Sequence, residues 1–384
     1  MGSMALVRHP DRNTRNDSNG NESRIEHPLL EICLTSSKGL GLFAKQDIKR
    51  GTRILSERPL IVLSSEDIAN YSSLKQRLDD LTTVEHALYY DLSDNKELTD
   101  DEVRSRIRQV AVESGKFRRR PDGLNIFVQT GTKAHTTFKT NATSMASDRG
   151  YSIFPLYSRI NHSCRPNVHA SYNASLGTHT VHAIRDVQAG EELLVSYIDC
   201  AQPTQKRTED LEKHGVDCWC EVCKRSPAAK QSERRRHLIF DLKRGLSAYD
   251  GNHVKGRRTP DRLIPHNPTE AVAAAENLVQ LLCEDGLEGM DLAFAYRIAS
   301  KYSLQLGMVE KAKTYAVEEA EVELHCLGTE TGHLKDGNAE AWLKRIRWTA
   351  EKDAVKIRMC EKRGMKEAKK AEKKADKKAK KGAR

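Results

Sequence analysis

The stretch YSRINHSCRPNVHASYN (Tyr157–Asn173) carries several chemically active side chains in a row. An asparagine, a histidine, a serine and a cysteine occupy positions 161–164, and Pro166 follows shortly after them. A helix interior does not tolerate proline, and a strand favours β-branched and aromatic residues. The stretch therefore predicts a turn or loop, which is the kind of segment that often carries function. From these residues alone, Cys164 is a metal ligand, a nucleophile or a buried thiol.

The composition predicts a folded chain of two or three domains with a strongly charged surface. The chain has 384 residues, of which 38% are hydrophobic and 31% charged. The net charge is +10, and the tail Lys366–Arg384 holds ten Lys or Arg against three Asp or Glu. This tail is either a solvated extension or a nuclear-targeting segment that makes weak nucleic-acid contacts.

The cysteines favour metal over disulfides. Of the nine, three lie in the run CWCEVC, at Cys218, Cys220 and Cys223. No apolar run approaches the roughly 20 residues that a membrane span needs, and no secretory segment is visible, so we expect an intracellular protein without membrane contact. Clustered cysteines in such a chain point to structural Zn²⁺, which takes four ligands. By spacing, the fourth ligand is either Cys200 or Cys164.

Hydrophobic periodicity divides the chain into alternating strand-like and helical regions. Residues 29–63 have short apolar runs with glycine turns, 66–129 have helical spacing, and 130–198 return to strands that include HTVHAIRDV and EELLVSYI. Beyond residue 232 the chain is helical. Its spacing of alanines, tyrosines and glycines around 295–316 is similar to tetratricopeptide repeats, an architecture that usually offers a concave binding surface.

Two further motifs are weak when each is read alone. The turn SSKGLGLFA (Ser37–Ala44) brings Gly39 and Gly41 close together, and most such pairs are ordinary hairpin turns. No helix follows it, which argues against a dinucleotide site of the Rossmann type. Tyr197 ends an alternating apolar stretch, where a tyrosine is more often a core residue than a catalytic one.

Taken together and in order, the motifs resemble one family. KGLGLFA, GYSIFPLYSRINHSCRPN, GEELLVSYID and CWCEVC form the ordered series of SET-domain methyltransferases, most similar to the SMYD type and its fungal relatives. The resemblance implies an α+β fold. A SET-domain β-fold with a helical insertion and a post-SET zinc site precedes an all-α, TPR-like C-terminal domain. The implied division of the chain is a disordered N-terminus with an expression-tag remnant (1–28), a SET domain (29–200, insertion 66–129), a post-SET zinc segment (201–228), a helical domain (229–362) and a basic tail (363–384).

The resemblance also assigns roles to individual residues. It implies that Cys164 joins Cys218, Cys220 and Cys223 on one zinc ion, leaving Cys200 outside the site. It implies that S-adenosyl-L-methionine lies against Lys38, Gly39, Leu40, Gly41, Leu42, Asn141, Asn161 and His162, with Tyr197 beside it as the catalytic tyrosine. The implied reaction is methyl transfer to a lysine amine of a protein substrate, histone or non-histone, in the nucleus, the cytoplasm or both.

Two departures from the family pattern keep other functions open. The insertion 66–129 contains no cysteine, so the zinc-binding MYND module of SMYD proteins is absent from it. The Tyr and Phe that usually wall the lysine channel are replaced by His214 and Val216. The alternatives to a protein-lysine methyltransferase are therefore a SET-fold adaptor with weak or no catalysis and a methyltransferase acting on a small amine-bearing molecule.

Overall fold

The computed structural model describes residues 27–68, 70–95, 101–117, 121–145, 150–251, 259–330 and 338–348. The chain divides into two compact units, one of residues 1–233 with 325–330 and one of residues 234–324 with 331–384. The predicted basic tail and nearly all of the predicted disordered N-terminus lie outside the described residues.

The first unit is built mainly from short strands in four small sheets. The strands are β1 (Leu30–Leu34), β2 (Leu40–Ala44), β3 (Arg53–Glu57), β4 (Ile61–Leu63), β5 (Thr143–Ser144), β6 (Tyr151–Ile153), β7 (Asn161–His162), β8 (Val168–Asn173), β9 (Thr178–Ala183) and β10 (Leu194–Val195). The sheet orders are β1-β2, β3-β9-β8, β4-β6-β5 and β10-β7, and only the last of these described pairs is parallel. Mixed α and β content with strand pairs distant in sequence agrees with the predicted α+β class.

One apolar core connects the sheets β1-β2 and β3-β9-β8 to the segment Tyr157–Asn173. It is formed by buried side chains from β1–β3, from the turn that ends at Ile160 and from β8–β10, and the half-buried rings of Tyr157 and Tyr197 pack against it. Burial of this set stabilises the unit by roughly 25 cal/mol per Å² of apolar area. The core therefore supports one side of the Tyr157 ring and one side of the Tyr197 ring.

The helical insertion is longer than the sequence predicted. It contains α1 (Tyr71–Asp79), α2 (Thr83–Tyr90), α3 (Asp101–Glu113) and α4 (Pro121–Asn141), so its last helix runs past the predicted end at residue 129. The threonines of α4 misled the prediction, because β-branched residues favour strands. In the helix the hydroxyls of Thr132, Thr136 and Thr140 donate to carbonyls one turn back, as Thr136 Oγ1 does to the Thr132 carbonyl at 2.7 Å.

A second strand prediction was too long. EELLVSYI was read as one strand, but β10 contains only Leu194 and Val195. The buried side chain of Asn167 takes the place of a longer ladder, because its Nδ2 donates to the Glu192 carbonyl at 2.8 Å and its Oδ1 accepts from the Leu194 N–H at 2.7 Å. Beside Glu192 and Leu194, the Asn167 side chain thus makes the backbone hydrogen bonds that a neighbouring strand would otherwise make.

Helices follow the strands of the first unit and make up the described part of the second. They are α5 (Thr204–Glu212), α6 (Pro227–Tyr249), α7 (Pro268–Glu284), α8 (Met290–Gln305) and α9 (Val309–Leu327), with residues 339–348 also helical. The alanines that led to the repeat prediction, Ala295, Ala299, Ala312 and Ala316, are all fully buried. Small buried residues let helices approach closely in many architectures, so the TPR-like arrangement stays a prediction. Among the described helices none is both long enough and apolar enough to span a bilayer.

Candidate active site and metal centre

Four cysteines meet at one point of the first unit. The Sγ atoms of Cys164, Cys218, Cys220 and Cys223 all lie within 4.8 Å of one another, and those of Cys164 and Cys223 are 3.5 Å apart. A tetrahedral zinc with Zn–S bonds of about 2.3 Å requires sulfurs about 3.8 Å apart. The thiols form no disulfide. The donor set therefore fits Zn²⁺ in both spacing and chemistry.

A buried cation lies beside the cysteine cluster. The four thiols also interact with one another, and these hydrogen bonds lower the pKa of the Cys220 thiol while they raise that of Cys164. The guanidinium of Arg207, only 1% exposed, places Nη2 3.8 Å from Cys223 Sγ. Four thiolates and one Zn²⁺ carry a net charge of −2, so a buried cation beside them offsets part of that charge. Cys200 is also buried nearby, with its Sγ 2.8 Å from Ser196 Oγ.

His162 connects the cysteine cluster to the predicted catalytic tyrosine, which follows β10. The N–H of Tyr197 donates to His162 Nδ1 at 3.1 Å, and His162 Nε2 lies 3.3 Å from Cys164 Sγ. Because Nδ1 accepts, the ring proton is on Nε2 and points at the sulfur. Burial lowers the pKa of His162 to about 4, so the ring is neutral at neutral pH. The imidazole side chain predicted to contact the cofactor is thus engaged within the protein on both sides.

Tyr197 is held at both its backbone and its hydroxyl. Its Oη donates to the Ile160 carbonyl at 2.7 Å. Burial, with Tyr157 next in effect, raises the pKa of this phenol well above its usual range. The hydroxyl is therefore neutral over the pH range in which proteins are assayed. Its proton is committed to Ile160, which leaves the oxygen lone pairs as acceptors.

A polar strip formed by Lys38, Asn161 and Glu192 lies beside β2. Asn161 Nδ2 donates to Glu192 Oε1 at 2.8 Å and to the Leu40 carbonyl at 3.2 Å. Lys38 Nζ donates to Glu192 Oε2 at 3.0 Å. A Cβ at Gly41 would lie 2.9 Å from Glu192 Oε1 and 3.0 Å from Asn161 Nδ2, so a larger residue there would displace the two side chains of this strip. The glycine turn and the Asn-His segment, 121 residues apart at their hydrogen bond, are neighbours in the fold, and their contact with a cofactor stays a prediction.

The side chains of two predicted cofactor residues make other contacts within the protein. The Leu42 side chain is fully buried in the core, so only its backbone could face a ligand. Asn141, the last residue of α4, uses its Nδ2 to donate to the carbonyls of Ser93 and Thr137 at 2.8 and 2.7 Å. Its amide thus holds together two parts of the insertion. The proposed contact of Asn141 with a cofactor stays a prediction.

The residues predicted to replace the aromatic channel wall lie at the C-terminal end of α5. The His214 ring centroid is 6.1 Å from that of Tyr197. Gly215 has φ +64°, which lets the Val216 N–H turn back to the Leu211 carbonyl at 3.1 Å. His214 is therefore both a helix-end residue and a neighbour of Tyr197. Partial burial lowers its pKa, which favours the neutral ring.

Sequence reasoning missed three residues that organise this region. Glu192 links Lys38 to Asn161, although its place in GEELL marked it only as part of a strand. Arg207 supplies the buried cation beside the cysteines, and its position in a polar helix gave no signal. Asn95 of the insertion donates to the Gly215 carbonyl at 3.4 Å, a contact that no local pattern indicates.

The strand layout, the cysteine cluster and the Asn-His-Tyr arrangement together define the SET-domain class. The SET domain family matches residues 39–198. Over 321 residues the chain is 30% identical to histone-lysine N-methyltransferase set5 of Schizosaccharomyces pombe, covering 83% of each protein. The chain belongs to the SET-domain protein-lysine methyltransferases and is SMYD-like, which confirms the predicted family.

Two other similarities are more limited. The chain is 36% identical over 153 residues to N-lysine methyltransferase SMYD2 of Gallus gallus, which covers 38% of this chain and 32% of that protein. The solved structure of Rubisco LSMT bound to AdoMet matches over 86% of this chain and 88% of that chain at 15% identity. Its TM-score is 0.33, which is too low to support a conclusion about this chain.

Proposed function

We propose that this chain transfers a methyl group from S-adenosyl-L-methionine to the side-chain amine of a lysine in a histone or non-histone protein. The observation that carries the proposal is the placement of Tyr197, whose hydroxyl is 2.7 Å from the Ile160 carbonyl and whose N–H bonds to His162. The relative of similar length is named a histone-lysine methyltransferase. The polar strip of Lys38, Asn161 and Glu192 is the proposed cofactor side of the same site.

The reaction needs positioning more than acid–base groups. S-adenosyl-L-methionine supplies a methyl group that its sulfonium already activates. The protein must hold a neutral amine in line with that methyl group at about 3 Å. A lysine amine has a pKa of about 10.4, and removing it from water favours loss of its proton. The Tyr197 oxygen, its own proton committed to Ile160, accepts a hydrogen bond from the incoming amine and so orients its lone pair.

Zinc at the four cysteines is the proposed structural cofactor. Bound there, it would tie Cys164, next to the Asn-His segment, to the Cys218–Cys223 turn that follows His214. The ion takes no part in the transfer. A nuclear or cytoplasmic location and a weak nucleic-acid contact through residues 363–384 complete the proposal.

A second acceptor class is supported by the exposed His214 and half-buried Val216 beside Tyr197. These side chains are smaller or more polar than the Tyr and Phe that the family usually has there. A wider channel accepts a small amine-bearing molecule in place of a lysine side chain. The cofactor side of the site is the same for both acceptors, so only the acceptor distinguishes them.

The test is transfer of labelled methyl from S-adenosyl-L-methionine to a whole-cell protein extract, with a small-molecule fraction assayed in parallel. We expect label in protein, on lysine after hydrolysis, and at least a tenfold loss of rate in Tyr197→Phe. Tyr172→Phe, a half-buried tyrosine of β8, is the matched control and should keep the wild-type rate. Label confined to the small-molecule fraction would support the second acceptor class. No transfer to either fraction would contradict the proposed activity and favour the adaptor.

A further inference from the structure

A carboxylate outside the predicted site holds the backbone that supports Tyr197. Glu57 is the last residue of β3 and places its side chain against the start of a short 3₁₀ turn, Tyr157–Arg159. Its Oε1 accepts the Leu156 N–H at 2.8 Å, and its Oε2 accepts the Tyr157 N–H at 3.0 Å. Both carboxylate oxygens are therefore used on consecutive peptide groups.

The turn transmits this anchor to the tyrosine hydroxyl within one step. The Ile160 N–H donates to the Tyr157 carbonyl at 2.9 Å, which closes the turn. The Ile160 carbonyl then accepts the Tyr197 hydroxyl at 2.7 Å. The turn is thus anchored at its start by Glu57 and at its end by Tyr197.

We propose that Glu57 is a positioning residue for methyl transfer, which in its ionised form holds the turn Tyr157–Arg159 so that the Ile160 carbonyl sets the direction of the Tyr197 hydroxyl. This inference rests on the proposed function and adds to it a residue that never touches the reactants. A neutral carboxyl cannot accept equally at both oxygens, since one of them then carries a proton. Protonation of Glu57 loosens one of the two bonds that anchor the turn.

Glu57 is the group of this cluster that titrates near neutral pH. Desolvation raises its pKa to about 7, although the Leu156 and Tyr157 N–H groups oppose the shift. His179 faces it from β9, and burial lowers the pKa of that ring to about 4. Burial raises the pKa of Tyr157, on the turn, to about 12. Between pH 6 and 8 both neighbours stay neutral. His214, which lies beside Tyr197, has a pKa lowered by partial burial, so the comparison of the wild type with Glu57→Gln is what assigns a change in this range to Glu57.

The experiment measures kcat/KM for methyl transfer from pH 5.5 to 9 with the full chain. The lysine amine must lose one proton, which gives log(kcat/KM) a slope of about one against pH. Glu57 adds a second ionisation, and because its loss lowers the rate only about tenfold, we expect the slope to rise to about 1.5 near pH 6.5 and to return toward one at lower pH. In Glu57→Gln we expect about a tenfold lower kcat, little change in KM, and a slope near one throughout.

The controls separate positioning from simple loss of structure. Glu57→Asp keeps a carboxylate but is too short to reach both N–H groups, so it should lose part of the rate and keep the break near pH 7. Glu66→Gln makes the same substitution at an exposed residue and should match the wild type. The melting temperature of each variant is measured at pH 8.

The outcomes are distinct. A wild-type profile without a break, or Glu57→Gln with the wild-type profile, overturns the inference. A Glu57→Gln variant that loses rate in proportion to melting temperature but keeps the break also overturns it, because Glu57 would then be structural only. If the wild type transfers no methyl group at any pH, the proposed function has failed, and the loss is not specific to Glu57.

Discussion

Replacing Cys164 with serine should remove the proposed zinc ligand that lies farthest in sequence from the other three. Cys218, Cys220 and Cys223 are close in sequence, whereas Cys164 is 59 residues before Cys223. The zinc bound by all four therefore closes a loop of about that length. Removing Cys164 leaves three ligands that are close in sequence, and the long loop is no longer closed.

The magnitude follows from chain entropy. Treated as a cross-link, closure of a loop of this length restricts the unfolded chain by about 4 kcal/mol at 25 °C. For a unit of 150–250 residues each kcal/mol shifts the melting temperature by about 2–4 °C. We therefore expect Cys164→Ser to melt about 8–16 °C below the wild type. The buried sulfur also accepts from His162, so Tyr197 should be less well held and turnover should fall.

The assay combines elemental analysis for zinc, after dialysis against a weak chelator, with thermal unfolding. We expect one zinc per chain in the wild type and less than one in Cys164→Ser. Cys200→Ser makes the same atom change at a buried cysteine beside the cluster and should keep both the metal and the melting temperature. Full zinc and wild-type melting in Cys164→Ser, or loss of zinc in Cys200→Ser, would refute the assignment of the fourth ligand.

Three further results are expected. His214→Tyr should restore a narrow channel beside Tyr197 and change the number of methyl groups added or the preferred acceptor, as measured by mass spectrometry; an unchanged product and pH profile would contradict the channel role. Burial lowers the pKa of His179 to about 4, so its contribution to stability is fully present above about pH 6.5 and lost as pH falls toward 4. His179→Phe should therefore flatten the fall in melting temperature over that range, and an equally steep fall would show that other groups cause it. Truncation after Arg363 should leave cofactor affinity unchanged while weakening salt-sensitive adhesion to nucleic acid, so a truncated chain that no longer binds cofactor would argue against a separate tail.

The site could be predicted from the sequence where spacing limits chemistry. Three cysteines in six residues already require a fourth ligand, and the resemblance selected Cys164, which the structure places with the other three. The glycine turn and Asn161, both predicted to contact the cofactor, are also neighbours in the fold. In these cases few residue types can do the task, so the motif itself carries the information.

The prediction failed where packing overrides local propensity and where a side chain replaces a strand partner. The threonine-rich α4 is a helix despite its strand propensity, and three of its hydroxyls bond back to carbonyls of the same helix. Asn167 holds a segment that alternation had marked as a strand. Glu57 and Glu192 act on partners about 100 and 31 residues away, respectively, and no local window contains such pairs.

The long interval between the first and last zinc ligands also has a consequence for biosynthesis. Cys164 precedes Cys223 by 59 residues, and at about 5–20 residues per second the ribosome needs roughly 3–12 s to make that interval. His162 is made before this interval begins and Tyr197 about halfway through it, but the cluster that orders them lacks ligands until Cys223 has been made. The proposed active site is therefore completed only after the post-SET turn has left the ribosome. Until then, Cys164 lacks the three cysteines with which it is proposed to bind zinc.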